Sequence, residues 1–267
     1  MIHLRSISLK KHTEDPENFP FNVPVLKDLD ELEFPSPVTI FVGENGSGKS
    51  TLLEGIAKAA LLVAVGSEEV DRDLSMLDIQ PLADAIKLVW TKRTHRGFFL
   101  RTEDFFGFVK RLRSERQLMM DEVARIDDDY QGRSDYAKSL AKNPAISSLG
   151  SMERRYGQDL GSQSHGESFL ALMRSRMVPG GLYLIDEPEA ALSPLSQLGF
   201  IALVKEMVAQ DSQLILATHS PILMAIPNAM ILDFDRSPLT TISYDDLEHV
   251  KLYRSFLEDP AAFIHYL

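Results

Sequence analysis

The residues best placed to do chemistry begin with Gly43-Glu44-Asn45-Gly46-Ser47-Gly48-Lys49-Ser50-Thr51, which fit G-x-x-x-x-G-K-[ST] at every fixed position. Glycines at those positions let the backbone curl until successive N–H groups face one phosphate. A helix starting there adds the positive end of its dipole at the same point. Lys49 can reach the β- and γ-phosphates of a nucleoside triphosphate, and Ser50 offers a hydroxyl to magnesium. The alternative is a glycine-rich βα turn carrying an exposed lysine. The flanks argue against it: Val38-Thr39-Ile40-Phe41-Val42 reads as a buried strand, and Ser50 to Val65 holds good helix formers.

Leu182-Tyr183-Leu184-Ile185-Asp186-Glu187 is an apolar strand ending in two acids. The carboxyl end of a parallel strand is where α/β ligands bind, so Asp186 could hold magnesium and Glu187 could polarise a water. A solvated pair capping the following turn is the plainer reading. Gln213 to Ala217 is a second buried strand, running into Thr218-His219-Ser220. His219 there could contact a γ-phosphate, or be an ordinary surface histidine. Ser164-His165-Gly166-Glu167 precedes an apolar helix from Ser168 to Met177 and contains a Ser-x-x-Glu capping box. That helix N-terminus could also face a phosphate.

The elements that must position these groups alternate between strand and helix, which predicts an α/β fold around a mainly parallel sheet. Ile2 to Leu9 alternates as a strand does, and Lys11 to Pro24 reads as a loop. Ile86 to Trp90 and Phe98 to Thr102 read as a hairpin turning over Thr91 to Gly97, adding an antiparallel β layer. Asp104 to Arg125 is helical, whereas Asp127 to Gly161 reads as loops with one short helix and no sustained heptads. Pro194 to Ala209 is a helix, Ile231 to Phe234 a strand, and Asp245 onward helical. The expected organisation is one domain over 1–267, with a nucleotide-binding core from 1–103 and 179–267 and a helical lobe from 104–178.

In 267 residues, 44% hydrophobic and 25% charged, there is enough apolar material for a sizeable core. The chain has no cysteine, which removes disulfides, thiolate metal sites and a cysteine nucleophile. The opening residues lack a signal-peptide apolar run, and no stretch approaches the ~20 residues of a bilayer span. A soluble, cytoplasmic protein without membrane insertion is expected.

Taken together, these motifs resemble the ABC-type ATPase family, and within it the small stand-alone ATPases related to SMC and RecF-like heads. Gly43 to Thr51 is similar to Walker A, and Leu182 to Glu187 to Walker B with its catalytic glutamate. Gln163 to Glu167 is similar to the signature motif, Ala191-Leu192-Ser193 to the D-loop, and His219 to the switch histidine. Gln163, His165 and Glu167 depart from the usual signature, and Ser193 stands where aspartate is usual. An extra carboxylate at Glu167 repels a phosphate unless it turns back to cap its own helix. The Q-loop residue is best matched by Glu103, a candidate magnesium contact, with Gln80 a poorer match.

The resemblance implies ATP and Mg2+ as cofactors, Glu187, Lys49 and His219 as catalytic residues, and two heads stacked head to tail in an ATP-dependent homodimer. Ser164, His165, Gly166 and Glu167 of one head would then face the nucleotide of the other. It further implies nucleic-acid maintenance or phage-defence work. A transporter's nucleotide-binding subunit and a nucleotide-gated protein-interaction module are the alternatives. Lys87, Lys92, Arg93, Arg96, Arg101, Lys110, Arg111 and Arg113 cluster within a chain of net charge -11. They read as a footprint for DNA or RNA or as a solvated hairpin turn and helix face, the latter favoured. A protein partner is the other candidate for the coupled work.

Overall fold

The structure is a computed structural model and describes residues 1–10, 18–65, 74–156 and 164–265. In chain order it runs β1 (Leu4–Leu9), α1 (Pro24–Lys27), β2 (Glu31–Glu33), β3 (Val38–Val42), α2 (Lys49–Ala59), β4 (Val63–Ala64), α3 (Gln80–Ala85), β5 (Ile86–Trp90) and β6 (Gly97–Arg101). Next come α4 (Thr102–Asp129), α5 (Asp135–Tyr156), α6 (His165–Arg176), β7 (Leu182–Asp186), α7 (Pro194–Ala209) and β8 (Gln213–Ala217). The chain closes with α8 (Pro221–Met224), β9 (Met230–Asp233), β10 (Thr240–Thr241), α9 (Glu248–Glu258) and α10 (Pro260–Ile264). Among the described residues no helix is long and apolar enough to cross a membrane.

The main sheet has seven strands in the order β10-β9-β3-β8-β7-β6-β4, parallel except for β10. Strands buried on both faces favour apolar residues throughout, which is why β3, β7 and β8 read as near-continuous apolar runs, each with one buried polar residue: Thr39, Asp186 and Gln213. Alternate residues feed two cores. Ile40, Leu100, Ile185 and Leu216 face α6 and α7, while Phe41, Phe99, Leu184 and Ile215 face α2 and the second sheet. That second sheet is antiparallel, with order β2-β1-β5. Buried Gln213 ties the two together. Its Oε1 accepts from the N–H groups of His3 and Leu4, both at 2.8 Å, and its Nε2 donates to Leu4 O at 2.9 Å.

Two expectations are overturned. Ile86 to Trp90 and Phe98 to Thr102 do not form a hairpin. β5 pairs with β1 in the antiparallel layer, and β6 lies parallel to β7 in the main sheet. The connection Thr91 to Arg96 therefore crosses between sheets, with Thr91 N donating to His3 O. Part of the stretch expected to be loop is instead α5, 22 residues long with Pro144 inside it, packed along the 28-residue α4. Packing against α4 outweighs the local breaker. The expected loop from Lys11 to Pro24 lies outside the described residues as far as Glu17.

Candidate active site

The carboxyl ends of β3, β7 and β8 stand side by side and deliver Gly43, Asp186 and Thr218 to one edge. In the loop leaving β3, three glycines adopt positive φ: Gly43 at 150°, Gly46 at 82° and Gly48 at 100°. A Cβ on Gly48 would come within 2.4 Å of Val23 Cγ1, so only glycine fits between the loop and the segment before α1. Lys49 opens α2 and is buried; its Nζ donates to Gly43 O at 2.7 Å and Glu44 O at 2.8 Å. Burial lowers its pKa, opposed by the charges of Asp235, Glu187, Asp186 and Glu44.

Asp186 is buried, and its carboxyl is pushed up to about 7, first by desolvation; a hydrogen bond from Ser50 opposes this. Its Oδ1 has no hydrogen-bond partner. A buried carboxylate oxygen left orphaned beside a hydroxyl is the donor set a hard divalent cation completes. Asp186 and Ser50 therefore fit magnesium. Among the described residues no cluster of three or more acids and histidines forms a ready-made cage. Magnesium suits such a partial set, since it keeps waters and shares phosphate oxygens.

Glu187 has a left-handed backbone, φ 49°, a conformation costing a non-glycine residue about 1–3 kcal/mol. Local hydrogen bonds hold it there. Its N–H donates to Ala217 O at 2.9 Å, and its carbonyl lies 2.7 Å from Thr102 Oγ1, which also reaches Asp186 O at 3.0 Å. The carboxylate stays half exposed, with Oε1 3.8 Å from His219 Nε2. His219 lies below its ordinary pKa, first through burial and then through the Lys49 charge. A neutral imidazole can donate or accept at the end of a polyphosphate.

The segment Ser164 to Glu167 stands at the start of α6. Ser164 caps α6, and Glu167 turns back as the capping box requires. Its Oε2 accepts from Ser164 N and Oγ, both at 2.9 Å, and these bonds lower its pKa. The carboxylate is thus turned onto its own helix N-terminus. Gly166 is packed so closely that a Cβ would meet Ser196 Oγ at 2.7 Å, and His165 stacks edge-on with Phe106 at 5.6 Å. Gln163 lies outside the described residues. Glu103 is exposed on the first turn of α4, and the group that reaches the acid pair from this end of β6 is Thr102. Gln80 donates to Asp84 at 2.8 Å on α3.

Several residues were not assigned to this site by sequence reasoning, Arg101 of the basic cluster among them. Arg101 pairs with Glu54 at 2.5 Å, both largely buried, and the two charges bear on Asp186 from opposite signs. Asp235, two residues past β9, accepts the Glu44 N–H at 2.8 Å. His249 of α9 brings its ring within 6.1 Å of His219 and its Nε2 within 4.0 Å of Glu44 Oε1. Glu189 accepts the His219 N–H at 2.5 Å. An acid shortly after a strand end is the only sequence signal for Asp235 and Glu189. A cavity of 690 Å3 opens beside the loop, lined by Gly43, Glu44, Asp235, Leu247 and His249 among others.

A glycine loop on a buried strand, a lysine folded into it and, across β8, a strand ending in paired acids give the chain the P-loop fold, similar to AAA/ABC-type ATPase domains. Residues 168–225 match the family described as "AAA domain, putative AbiEii toxin, Type IV TA system", and residues 20–62 match a further "AAA domain". The chain is 28% identical over 204 residues to the macrolide export ATP-binding/permease protein MacB of Hahella chejuensis, covering 76% of this chain and 29% of MacB. It is 29% identical over 202 residues to the cobalt import ATP-binding protein CbiO of Salmonella typhimurium, covering 74% and 67%. The chain thus spans less than a third of the length of the MacB relatives it matches. Similar solved structures include the SMC head domain from Thermotoga maritima, at 15% identity, 91% and 100% coverage and TM-score 0.45. A nucleotide-free ATP-binding cassette from an ABC transporter is similar at 15% identity, 100% and 99% coverage and TM-score 0.44.

Proposed function

We propose that this chain binds ATP with Mg2+ and hydrolyses it. The observation that carries the reading is the buried Asp186, with an orphaned oxygen and a Ser50 hydrogen bond, beside a lysine held in a glycine loop. Lys49 and the loop N–H groups bind the β- and γ-phosphates; Asp186 and Ser50 hold the cation. Magnesium supplies charge neutralisation on the phosphates. Glu187, exposed toward the same edge, orients and polarises the attacking water, and His219 contacts the terminal phosphate. Ser164, His165 and Gly166 complete the site of a second copy in a head-to-tail homodimer, with Glu167 capping their helix.

The coupled work is proposed to be nucleic-acid maintenance or phage-defence-type work. Folding divides the basic cluster, however. Lys92, Arg93 and Arg96 sit where β6 begins, Lys110, Arg111 and Arg113 on α4 beyond its other end, and Arg101 pairs with Glu54. A second reading, a nucleotide-binding subunit serving a membrane partner, is favoured by the likeness to CbiO over 67% of that protein. Phosphate release from ATP by the wild type and by Glu187→Gln, each with and without double-stranded DNA, tests both. Loss of turnover by about 100-fold or more in the variant is expected, with DNA stimulation of the wild type. Equal turnover in the two proteins would remove Glu187 from the mechanism, and indifference to DNA would turn the search to a protein partner.

A further inference from the structure

The amide of His219 is the second past the end of β8, beyond the parallel ladder that Thr218 still joins through Phe41 O. The partner it finds is a side chain, Glu189 Oε1 at 2.5 Å, from the turn immediately after the acid pair. Glu189 is partly buried, its Oε2 fully so, and burial pushes its carboxyl up while the His219 amide and Thr218 hydroxyl hold it back. A buried carboxylate kept where water is scarce is costly unless its contacts require it. A second bridge joins the same two segments one residue on. Ser220 Oγ donates to Gln197 Oε1 at 2.5 Å, and Gln197 Nε2 donates to Leu192 O at 3.2 Å. The loop carrying the histidine is thus held by side chains of the segment that follows Glu187.

We infer that Glu189 is a positioning residue: its carboxylate captures the His219 backbone amide and sets the imidazole against Glu187 and the phosphate edge. The inference rests on the proposed ATPase reading for its kinetic consequence, but the capture itself does not. Hydrogen bonding to a charged acceptor is directional and strong, so the bond fixes the backbone on which the 3.8 Å approach of His219 to Glu187 depends. It also couples the turn after the acid pair to the histidine loop, so a shift of one is transmitted to the other.

The test compares Glu189→Gln, which keeps an acceptor of the same shape, with Glu189→Met, which fills the space without one; Glu189→Ala serves if the methionine variant does not fold. Amide exchange across 218–220, measured without nucleotide, should quicken in Met and stay near wild type in Gln. In turnover, Met should lower kcat by roughly tenfold, the scale of one hydrogen bond to a charged group, while the Kd for Mg-ATP stays within about twofold. Gln should restore kcat. In a Glu189→Met/His219→Ala double variant the loss should equal that of His219→Ala alone. Unchanged exchange in Met would overturn the capture. Additive losses in the double variant, an equal fall of Gln and Met, or a kcat untouched by Met would each overturn the positioning role. A wild type without ATPase activity would sink the ATPase reading and with it the kinetic role, leaving exchange to decide the capture alone.

Discussion

Asp186 concentrates the electrostatics of the site, and its consequences can be worked out by sign. Its folded pKa, about 7, lies above the ordinary carboxylate value of 3.8. Between those values the folded chain binds more protons than the unfolded one, so this group's contribution to stability is full below about pH 4 and is lost as pH rises toward 7. A tenfold change in proton affinity corresponds to ~1.4 kcal/mol, and removal of the charge should recover what burial costs. Asp186→Asn should therefore melt higher than the wild type at pH 8 in the absence of metal, with the gap closing by pH 4. A thermal-melt series across that range decides, and a gap independent of pH would mean that burial does not govern the group. Magnesium should raise the wild-type melting temperature at pH 8 and leave Asp186→Asn unmoved, since a cation stabilises the ionised form that burial penalises.

At the scale of elements, the glycine loop shows how much a local motif owes to its neighbours. Gly46, at φ 82°, has nothing within 4 Å of an added Cβ, whereas Gly48, at φ 100°, is wedged against Val23 and Val25. Gly48→Ala should cost about 1–3 kcal/mol from strain and overpacking and abolish nucleotide binding. Gly46→Ala should cost only the backbone part. Melting temperatures of the two variants, taken together, test this, and equal losses would remove the packing argument. The regular elements nearest the site are legible because their patterns are local: β3, α7 and β8 fall where the apolar runs place them. The apparent hairpin misleads because strand pairing is not local. Thr91 to Arg96 looks like a turn, yet β1, about eighty residues earlier, claims β5. α5 is illegible for another reason. Only Ala145 among its described side chains is buried, so no apolar stripe announces it, and Pro144 argues against it.

For the whole molecule, the proposed head-to-tail dimer makes the sharpest prediction. One chain gathers Lys49, Ser50, Asp186, Glu187 and His219 on a single sheet edge, while Ser164 and Glu167 hydrogen-bond to each other at the start of α6. Glu187→Gln saturated with ATP and magnesium should scatter in solution as a dimer, and the nucleotide-free protein as a smaller species. A strict monomer under saturation would end the composite-site reading. Any surface contributed by α4 and α5 is set by a helical pair about 40 Å long, from 28 residues at ~1.5 Å each.

The sequence by itself determined the glycine loop, the acid pair, the histidine after β8 and the capping box, because each depends on residue types at fixed short spacing. The α/β class followed from alternating periodicities in the same way. Only the tertiary structure decided which side chains support them. Thr102 reaches the acid pair from 84 residues away, Asp235 reaches the loop amide from 191, and Glu189 takes the His219 amide across 30. Those contacts arise where parallel strands from distant parts of the chain end together. The order of strands in a sheet is chosen by the packing of whole faces, and no local pattern records it.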